Sequence, residues 1–510
     1  MTLLDTIGSA IVGLVGRSDT ARLSPVDIAY ASRTERIAND RDAAYELYED
    51  YYLGRQDDPR LITFGDRKAS TRAERIFGAT HNVCALCIDV LIERMAVAGF
   101  ATGNTAIDTM LAQAWAHSRM DEHQNTVHGQ AFVKGDSYVL VGFDAAANLP
   151  MYTYHDALTM MPVYDGYHQM TAAYKTWAEP QIDSSGIVRY RRRLTKFTPA
   201  LIEKFAQEPD ETAWKLWTDD RDSNGNPDGG VIDWRTEDGR PLGIPIVPFR
   251  NRPRGADFGH SELSDLIPLQ DEYARRIWYT SETMSYQGAG QVYVSNVETP
   301  LDPVTRQPKA LIVSPGAVWQ LKAMIPTNPV VVGQLTAGNV LACQDAADRE
   351  LKTIAAVMRV PLHLIWPEGG LPSGEALKTA ESGLVAKVDD RAVTFGNAWE
   401  DVCRLAIRLS NRFGTGAQYD KAAAIETRWH PFETRSALTT EQELALSADD
   451  LSWPERMRRR GFTADQITAM REELEADGTA APGDAALGAV DAEGGRLRGL
   501  AALLPGNQSG

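Results

Sequence analysis

The sequence predicts an α+β fold in which long helices are separate from short strands. Two segments, 261–286 and 374–413, carry apolar residues at the three- and four-residue steps of one helix face. Between residues 168 and 240, by contrast, short strand-like runs are separated by polar turns. Helical and strand patterns that occupy different parts of a chain are typical of α+β folds.

The helix over 374–413 is the longest predicted element. Its face of apolar or small residues is formed by Leu377, Ala380, Leu384, Val388, Ala392, Phe395, Trp399, Val402, Ala406, Leu409 and Phe413. Ser373 can cap its start, and Glu375 lies in the first turn, where a negative charge favours the helix dipole. Such a helix would span about 60 Å, with Gly383 and Gly396 as the expected places for a bend. A buried scaffold helix would give the same pattern.

An unusually apolar loop precedes this helix. Pro361, Pro367 and Pro372 exclude a helix interior, and a Gly-Gly pair at 369–370 favours a turn. The loop contains Leu362, His363, Leu364, Ile365 and Trp366, with Glu368 at the turn. Long connections between helices are usually functional rather than simple ties. The loop is therefore a candidate functional element.

Composition is that of a soluble globular protein. Of 510 residues, 43% are hydrophobic and 24% are charged, and the length allows about three domains. The net charge of −17 argues against a static nucleic-acid binder, which needs clustered Lys and Arg, but not against a wall past which DNA slides. No uncharged apolar run is long enough to predict a membrane helix, and residues 1–16 lack the basic start of a signal peptide.

Cysteine and histidine patterns do not predict a disulfide scaffold or a metal site. Four cysteines are too few for such a scaffold and fit a reducing compartment. Cys84 and Cys87 form a C-x-x-C without a second pair, so packing on one helix face is the preferred interpretation. His117, His123 and His128 are spaced by six and five residues, which does not align them on one face, and polar helix edges are expected. We expect neither a metal nor a cofactor.

The first half of the chain should hold helices followed by strands. Helices are predicted at 25–52, 82–97 and 107–128, and strands at 131–143, 158–164 and 244–250, the last an edge strand because of its prolines. Tyrosines near the end of the first helix favour core packing, and an apolar-Gly-Phe turn at 98–100 ends the second helix. The run 188–194 concentrates four arginines, for which a solvated strand face is favoured over a phosphate contact. Residues 219–230 resemble a calcium loop in composition but lack its register, so a surface hairpin loop is expected.

The helix over 261–286 is acidic. It carries five acids and two bases, namely Glu262, Asp265, Asp271, Glu272 and Glu282 against Arg275 and Arg276. Residues 287–336 are rich in Gly, Val and Pro with short strands, and a further helix is predicted at 337–358. The elements expected after the long helix are a strand at 424–429, short helices at 440–475 and an Ala/Gly-rich disordered tail from 477.

Two stretches resemble a known family. One is the run Pro372-Ser-Gly-Glu-Ala-Leu-Lys with Phe395 and Trp399 downstream, and the other is Asp257-Phe-Gly-His-Ser-Glu-Leu, which leads into a helix containing Leu-Gln-Asp. Both resemble the portal proteins of tailed bacteriophages, specifically the siphophage-type head-to-tail connectors. The resemblance extends over residues 25–475 as an order of elements. It implies a portal-like subunit with an α/β wing, long stem helices, a small β-containing clip and a helical crown, assembling into a ring.

The resemblance also implies domain boundaries and site residues. The domains would be an N-terminal arm at 1–24, a wing at 25–258, a stem helix at 259–286, a clip at 287–336, a second stem helix at 337–358, a tunnel loop at 359–373, a long helix and wing strand at 374–435, a crown at 436–476 and a disordered tail at 477–510. In the family the tunnel loop projects into a channel and touches DNA, which implies contacts by Leu362, His363, Leu364, Ile365, Trp366 and Glu368. The channel-facing stem residues would be Glu262, Asp265, Asp271 and Glu272. The alternative for Ile365 and Trp366 is packing between subunits.

The function that the resemblance implies is structural. About twelve copies would form a ring at one capsid vertex of the virion, assembled in the host cytoplasm, through which double-stranded DNA is packaged and ejected. Implied partners are the terminase large subunit, the major capsid and scaffolding proteins and the head-completion adaptor, with no membrane. An enzyme is not expected, because G-x-x-x-x-G-K-S/T, H-E-x-x-H and G-x-S-x-G motifs do not occur. A minor capsid or head-closure protein and, less favoured, a phage DNA-processing enzyme are the alternatives.

Overall fold

The computed structural model describes most of the chain between residues 41 and 433. The described residues are 41–56, 82–182, 186–209, 214–217, 230–254, 257–288, 292–298, 301, 321–334, 339–366, 374–416 and 418–433, with Trp453, Arg456, Met457, Ile467, Met470 and Arg471. The chain divides into two compact units, Met1–Glu433 and Thr434–Gly510. In the second unit, Trp453, Met457 and Ile467 form a small buried cluster.

The first unit contains both helices and strands, as the predicted α+β class requires. The described helices are α1 (residues 41–52), α2 (Val83–Ile92), α3 (Thr105–His117), α4 (Met120–Lys134), α5 (Leu263–Gly288), α6 (Val340–Met358), α7 (Leu362–Ile365) and α8 (Gly374–Phe413). The described strands are β1 (Val97–Ala101), β2 (Asp136–Asp144), β3 (Leu149–His155), β4 (Met160–Tyr164), β5 (Met170–Ile182), β6 (Val188–Phe197), β7 (Leu201–Gln207), β8 (Lys215–Leu216), β9 (Val231–Asp233), β10 (Ile246–Arg250), β11 (Val292–Ser295), β12 (Val331–Gln334) and β13 (Glu426–Trp429).

The described strands pair in four antiparallel sheets. One sheet has the order β10-β2-β3, so β10 lies at an edge, which confirms the prediction from its prolines, because a proline cannot donate to a neighbouring strand. The largest sheet has the order β4-β5-β6-β7-β8, with β9 on β7. Its β5–β6 hairpin is longer than the short segments predicted, and its register runs from Ala173 opposite Phe197 to Ile182 opposite Val188.

Helix α8 is the centre of the hydrophobic core. Its predicted apolar face is confirmed over most of its length, since Leu384, Val388, Phe395, Trp399 and Leu409 are fully buried. The face packs against β2, β3, β10 and α3. The prediction is wrong at the two ends of this face, where Ala380 and Phe413 are exposed. Ser373 and the side chain of Leu377 lie outside what the structure describes.

The predicted helix over 82–97 is shorter than expected. Helix α2 ends at Ile92, and residues 98–100, predicted as a turn, belong to β1, which pairs with β13. The register shifts between Val97 and Gly99, where the backbone of Gly99 takes a φ of 148°. Local periodicity missed this strand because its partner lies more than 300 residues away along the chain.

The region 107–143 also departs from its prediction at two places. The expected single helix is two helices, α3 and α4, broken at Arg119, whose backbone is left-handed (φ 52°). Residues 131–134, expected in a strand, instead end α4, and β2 begins after Gly135. At Gly135 φ is 93°, and a Cβ there would lie 2.9 Å from the carbonyl oxygen of Gly259. The close backbone approach explains why the helix stops at a glycine.

Helix α1 is held by tyrosine hydroxyls that contact buried or half-buried acids. Tyr45 donates to Asp136 at 2.5 Å, Tyr51 to Asp271 at 2.8 Å, and Tyr52 to Asp89 at 2.7 Å. Tyr45 and Tyr51 are buried in the core, as their sequence pattern predicted. Residues 25–40 of the same predicted helix lie outside the described residues, as do the arm at 1–24, the loop at 218–229, most of 436–476 and the tail at 477–510.

Candidate functional site

Helices α5 and α6 form an antiparallel pair. Strands β11 and β12 lie between these two helices in the sequence. Near the middle of the pair, Arg276 donates to the carbonyl of Ala346 at 3.2 Å and forms an ion pair with Glu350 at 3.2 Å. Toward the end of α5, Thr283 lies 3.9 Å from the sulfur of Cys343. Residues later in α5 thus contact residues earlier in α6. The end of α5 and the start of α6, which flank residues 289–339, therefore lie side by side.

Glu262 lies just before α5 and is buried instead of facing solvent. It is 3% exposed, and its carboxylate accepts from Lys387 at 2.8 Å, from Arg391 at 2.9 Å and from Asn251 at 3.1 Å. Burial alone would raise the pKa of Glu262, but the two cations outweigh burial and lower it to about 2. The prediction that Glu262 faces a channel is therefore wrong for the folded subunit, in which it joins the start of α5 to the middle of α8.

The other three acids that were predicted to face the channel also have partners within the subunit. Asp265 is exposed and forms an ion pair with Arg252 at 2.9 Å. Asp271 accepts from Tyr51, and burial raises its pKa against that hydrogen bond. Glu272 bonds Arg275 at 2.5 Å and Arg276 at 3.1 Å. Of the four predicted channel-facing acids, Glu262, Asp265 and Glu272 are thus paired with cations of the same subunit.

The apolar loop begins with a helical turn, α7. Pro361 precedes it, and the amide of Trp366 closes it on the carbonyl of Leu362 at 2.7 Å. Leu362 and Trp366 are 38% and 36% exposed, whereas Leu364 and Ile365 pack against the core. The structure thus brings two of the predicted apolar residues, Leu362 and Trp366, to the surface.

His363, which was predicted to contact DNA, lies beside an acid of the same subunit. His363 lies 3.9 Å from Glu381, whose carboxylate forms an ion pair with Arg94 at 3.2 Å. Glu381 is buried, so these contacts tie the loop to α8 and to the segment after α2. Glu368 lies outside the described residues.

His128 is a core residue, so the expected polar helix edge is wrong at this position. Its Nδ1 donates to the carbonyl of Met95 at 3.0 Å, and its Nε2 accepts from the indole of Trp399 at 2.9 Å. An indole N–H can only donate, so the ring is neutral with its proton on Nδ1. The ring stacks on Phe395 at 5.3 Å. Burial lowers the pKa of His128 to about 4 despite the bond to Met95.

The remaining candidates from the sequence are structural. Cys84 and Cys87 are buried, and burial raises the pKa of both thiols, which makes them unreactive. Arg193 in the arginine-rich strand β6 is buried, bonds Glu179 at 3.0 Å and stacks over Trp217 at 3.6 Å. Among the described residues, no group of three or more His, Cys, Asp or Glu could hold a metal ion. Within the same residues, no helix is both long and apolar enough to span a bilayer.

The cations around Glu262 were not among the predicted site residues. Lys387 and Arg391 stand four residues apart, which places them on one face of α8. That spacing indicates two cations side by side, but the prediction for this helix considered only its apolar face. Arg252, which contacts both Glu262 and Asp265, lies in a loop with no such pattern.

Comparison with known proteins supports one family. The family model described as phage portal protein, SPP1 Gp6-like, matches residues 35–478. The portal proteins of Mycobacterium phages D29 and L5 are 27% and 25% identical to the chain over 341 and 342 residues. Each match covers 64% of this chain and 64% of the relative, so the chain spans just under two thirds of the length of these relatives.

Solved structures overlap with the chain only loosely. A chain from the virion of a native gene transfer agent particle has a TM-score of 0.36 and 13% identity, covering 82% of this chain and 95% of that chain. A chain from the neck of an empty particle of the same agent has a TM-score of 0.37 and 15% identity, covering 79% of this chain and 95% of that chain. Overlaps this low do not align individual elements.

The family match includes every described helix and strand of the first unit. It begins before α1 and extends beyond β13. It therefore confirms the resemblance that the two sequence stretches predicted. The chain belongs to the family of phage portal proteins of the SPP1 Gp6-like type.

Proposed function

We propose that the chain is the repeating subunit of a portal ring at one vertex of a phage capsid. The observation that carries this proposal is the family match over residues 35–478. In this role about twelve copies assemble around a channel through which double-stranded DNA is packaged and ejected. The role is structural, and the absence of nucleotide-binding and hydrolase motifs from the sequence agrees with it.

The proposed partners follow from that position in the virion. They are neighbouring copies of the chain, the DNA in the channel, the terminase large subunit, the major capsid and scaffolding proteins, and the head-completion adaptor. Mass photometry of the purified chain tests the ring, because a closed assembly has a mass many times 56.0 kDa. A chain that stays monomeric at physiological concentrations would contradict the proposal.

Residues 287–336 form the proposed clip, which docks the motor and the adaptor. Its described strands β11 and β12 pair only with each other, and such a two-stranded ribbon is marginally stable alone. Tyr293, Val332 and Met324 are exposed, which supports contacts with other proteins. The described core cluster of the first unit includes no residue of this segment.

Deleting residues 287–336 should therefore leave a folded subunit. A short Gly/Ser bridge can replace them because the flanking ends of α5 and α6 lie side by side. We expect a urea midpoint within experimental error of the wild type, together with loss of terminase and adaptor binding in pull-down assays. Binding that survives the deletion would move the docking site to another part of the chain.

Replacing Trp366 and Glu368 together by alanine tests the proposed tunnel loop. Trp366 and Leu362 are surface residues of the subunit, which supports a steric contact with DNA without strong ion pairs. We expect normal rings and procapsids with altered DNA packaging or retention. The control is Tyr167→Ala, which removes an exposed aromatic side chain of the β4–β5 hairpin.

The alternative for this loop is packing between subunits. That interpretation predicts failed or unstable rings for the double variant. Intact rings with wild-type packaging and retention would exclude an important role for both side chains.

A further inference from the structure

A cleft of about 660 Å³ opens beside the start of α5, the end of α6 and the middle of α8. Its cationic lining residues are Arg252, Arg254, Arg359, Lys387 and Arg391. Three acids, Glu262, Asp265 and Asp390, line it as well. Five cations against three acids give the cleft a positive surplus, in a chain whose net charge is −17. The cleft therefore differs in sign from the protein as a whole.

Three of the five cations are already paired inside the subunit. Lys387 and Arg391 bind Glu262, Arg252 binds Asp265, and Arg391 also contacts Asp390. Arg254 and Arg359 have no acidic partner among the described residues, and both are exposed. The surplus is therefore carried by two arginines that are available to an outside ligand.

The backbone at these positions favours glycine. Arg252, Arg254 and Arg359 have left-handed φ angles of 49°, 46° and 57°, a conformation that side chains disfavour and glycine adopts freely. Arg359 stands at the end of α6, where a glycine is the usual residue. Three arginines that line one cleft in this conformation indicate that their side chains serve a purpose beyond subunit folding.

We propose that this cleft binds carboxylates presented by a neighbouring copy of the chain. The inference rests on the proposed ring and names one of its contact surfaces. A ring needs two different surfaces on each subunit, and the acidic chain provides abundant carboxylates to meet a basic cleft. Val357 lines the cleft and is 49% exposed, and Val393, next to the lining residue Thr394, is 66% exposed. These side chains add the apolar contacts that protein interfaces use.

Double-stranded DNA is the less suitable occupant of the cleft. With a volume of about 660 Å³, the cleft is in the size range of pockets that enclose small groups. The cleft offers two unpaired arginines, Arg254 and Arg359, among the described residues that line it. Such a recess admits the carboxylate side chains of a neighbouring subunit more readily than the convex backbone of a duplex.

The test is the charge-reversal variant R254E/R359E. Its matched control is R119E/R240E, which changes the charge equally at two exposed arginines outside the cleft, one of them also left-handed. We expect the protein concentration at half-assembly to rise about tenfold or more for the cleft variant, and to stay within about twofold for the control. Urea midpoints of the subunits should match the wild type in both variants.

A second variant, Arg359→Gly, protects the test against misfolding. Glycine suits the left-handed φ, so the subunit should lose no stability, while assembly should still weaken. Wild-type assembly by both cleft variants would overturn the inference and leave the proposed ring intact. Normal rings with a loss of duplex affinity, measured by fluorescence anisotropy, would also overturn it by assigning the cleft to phosphate. A wild-type chain that forms no ring would contradict the proposed function itself, and this inference with it.

Discussion

Replacing Glu262 by glutamine should destabilise the subunit by about 3–5 kcal/mol, because it leaves buried charges without their counter-ion. The carboxylate is 3% exposed and holds Lys387 at 2.8 Å and Arg391 at 2.9 Å. Glutamine keeps the shape of the side chain but removes the charge that both cations need. Urea unfolding followed by tryptophan fluorescence, at a protein concentration below assembly, measures the effect.

Two controls separate the buried charge from other consequences of the substitution. Asp265→Asn removes an ion pair with Arg252 whose acid is 55% exposed, and exposed pairs of this kind contribute at most about 1 kcal/mol. The triple variant E262L/K387M/R391M replaces the whole cluster by apolar side chains, which often restores stability. A Glu262→Gln variant with a wild-type urea midpoint would show that this cluster does not hold α5 to α8.

His128 should make the subunit less stable as the pH falls from 6.5 to 4. The pKa of His128 is about 4 in the folded chain against an ordinary value of 6.5. In this pH window His128 therefore binds a proton in the unfolded chain but not in the native chain. Stability from this residue is thus fully present above pH 6.5 and is lost by about 3 kcal/mol toward pH 4. The physical cause is the buried ring, held neutral between Met95 and Trp399.

The measurement is the difference in pH dependence between the wild type and His128→Gln. The variant cannot take up the proton, so its stability should fall about 3 kcal/mol less over the same window, although it is less stable at pH 7. A difference is needed because other groups also change stability in this window. Burial lowers the pKa of His155 to about 4, which reduces stability as the pH falls, and raises the pKa of Asp42 to about 6, which increases it. The control is His123→Gln on the exposed side of α4, and parallel curves for the wild type and His128→Gln would contradict the account.

Periodicity predicted the long elements of the fold well. Helices α5, α6 and α8 lie within a few residues of their expected bounds, because each buries one face that repeats every three or four residues. It failed where a distant partner decides the local structure. Strand β1 forms because β13 pairs with it, and α4 ends at Gly135 because the backbone of Gly259 approaches there.

The candidate site was less predictable than the fold. Counting acids on 261–286 treated each carboxylate as a free charge, whereas Glu262 binds cations about 125 residues away. His128 was assigned to a polar edge because the spacing of histidines does not reveal the indole of Trp399 beside it. Leu362 and Trp366 lie at the surface, while Leu364 and Ile365 of the same loop pack on the core. Which side of a short turn faces solvent depends on the core against which it packs and could not be derived from the loop alone.

The ring is the central claim, and negative-stain images of the purified full-length chain test it most directly. Closed rings are expected in end-on views, with about twelve subunits around a central channel. In side views, all subunits should lie at the same height along the ring axis. Images that contain only particles of a single 56.0 kDa chain, or only open filaments, would contradict the proposed ring.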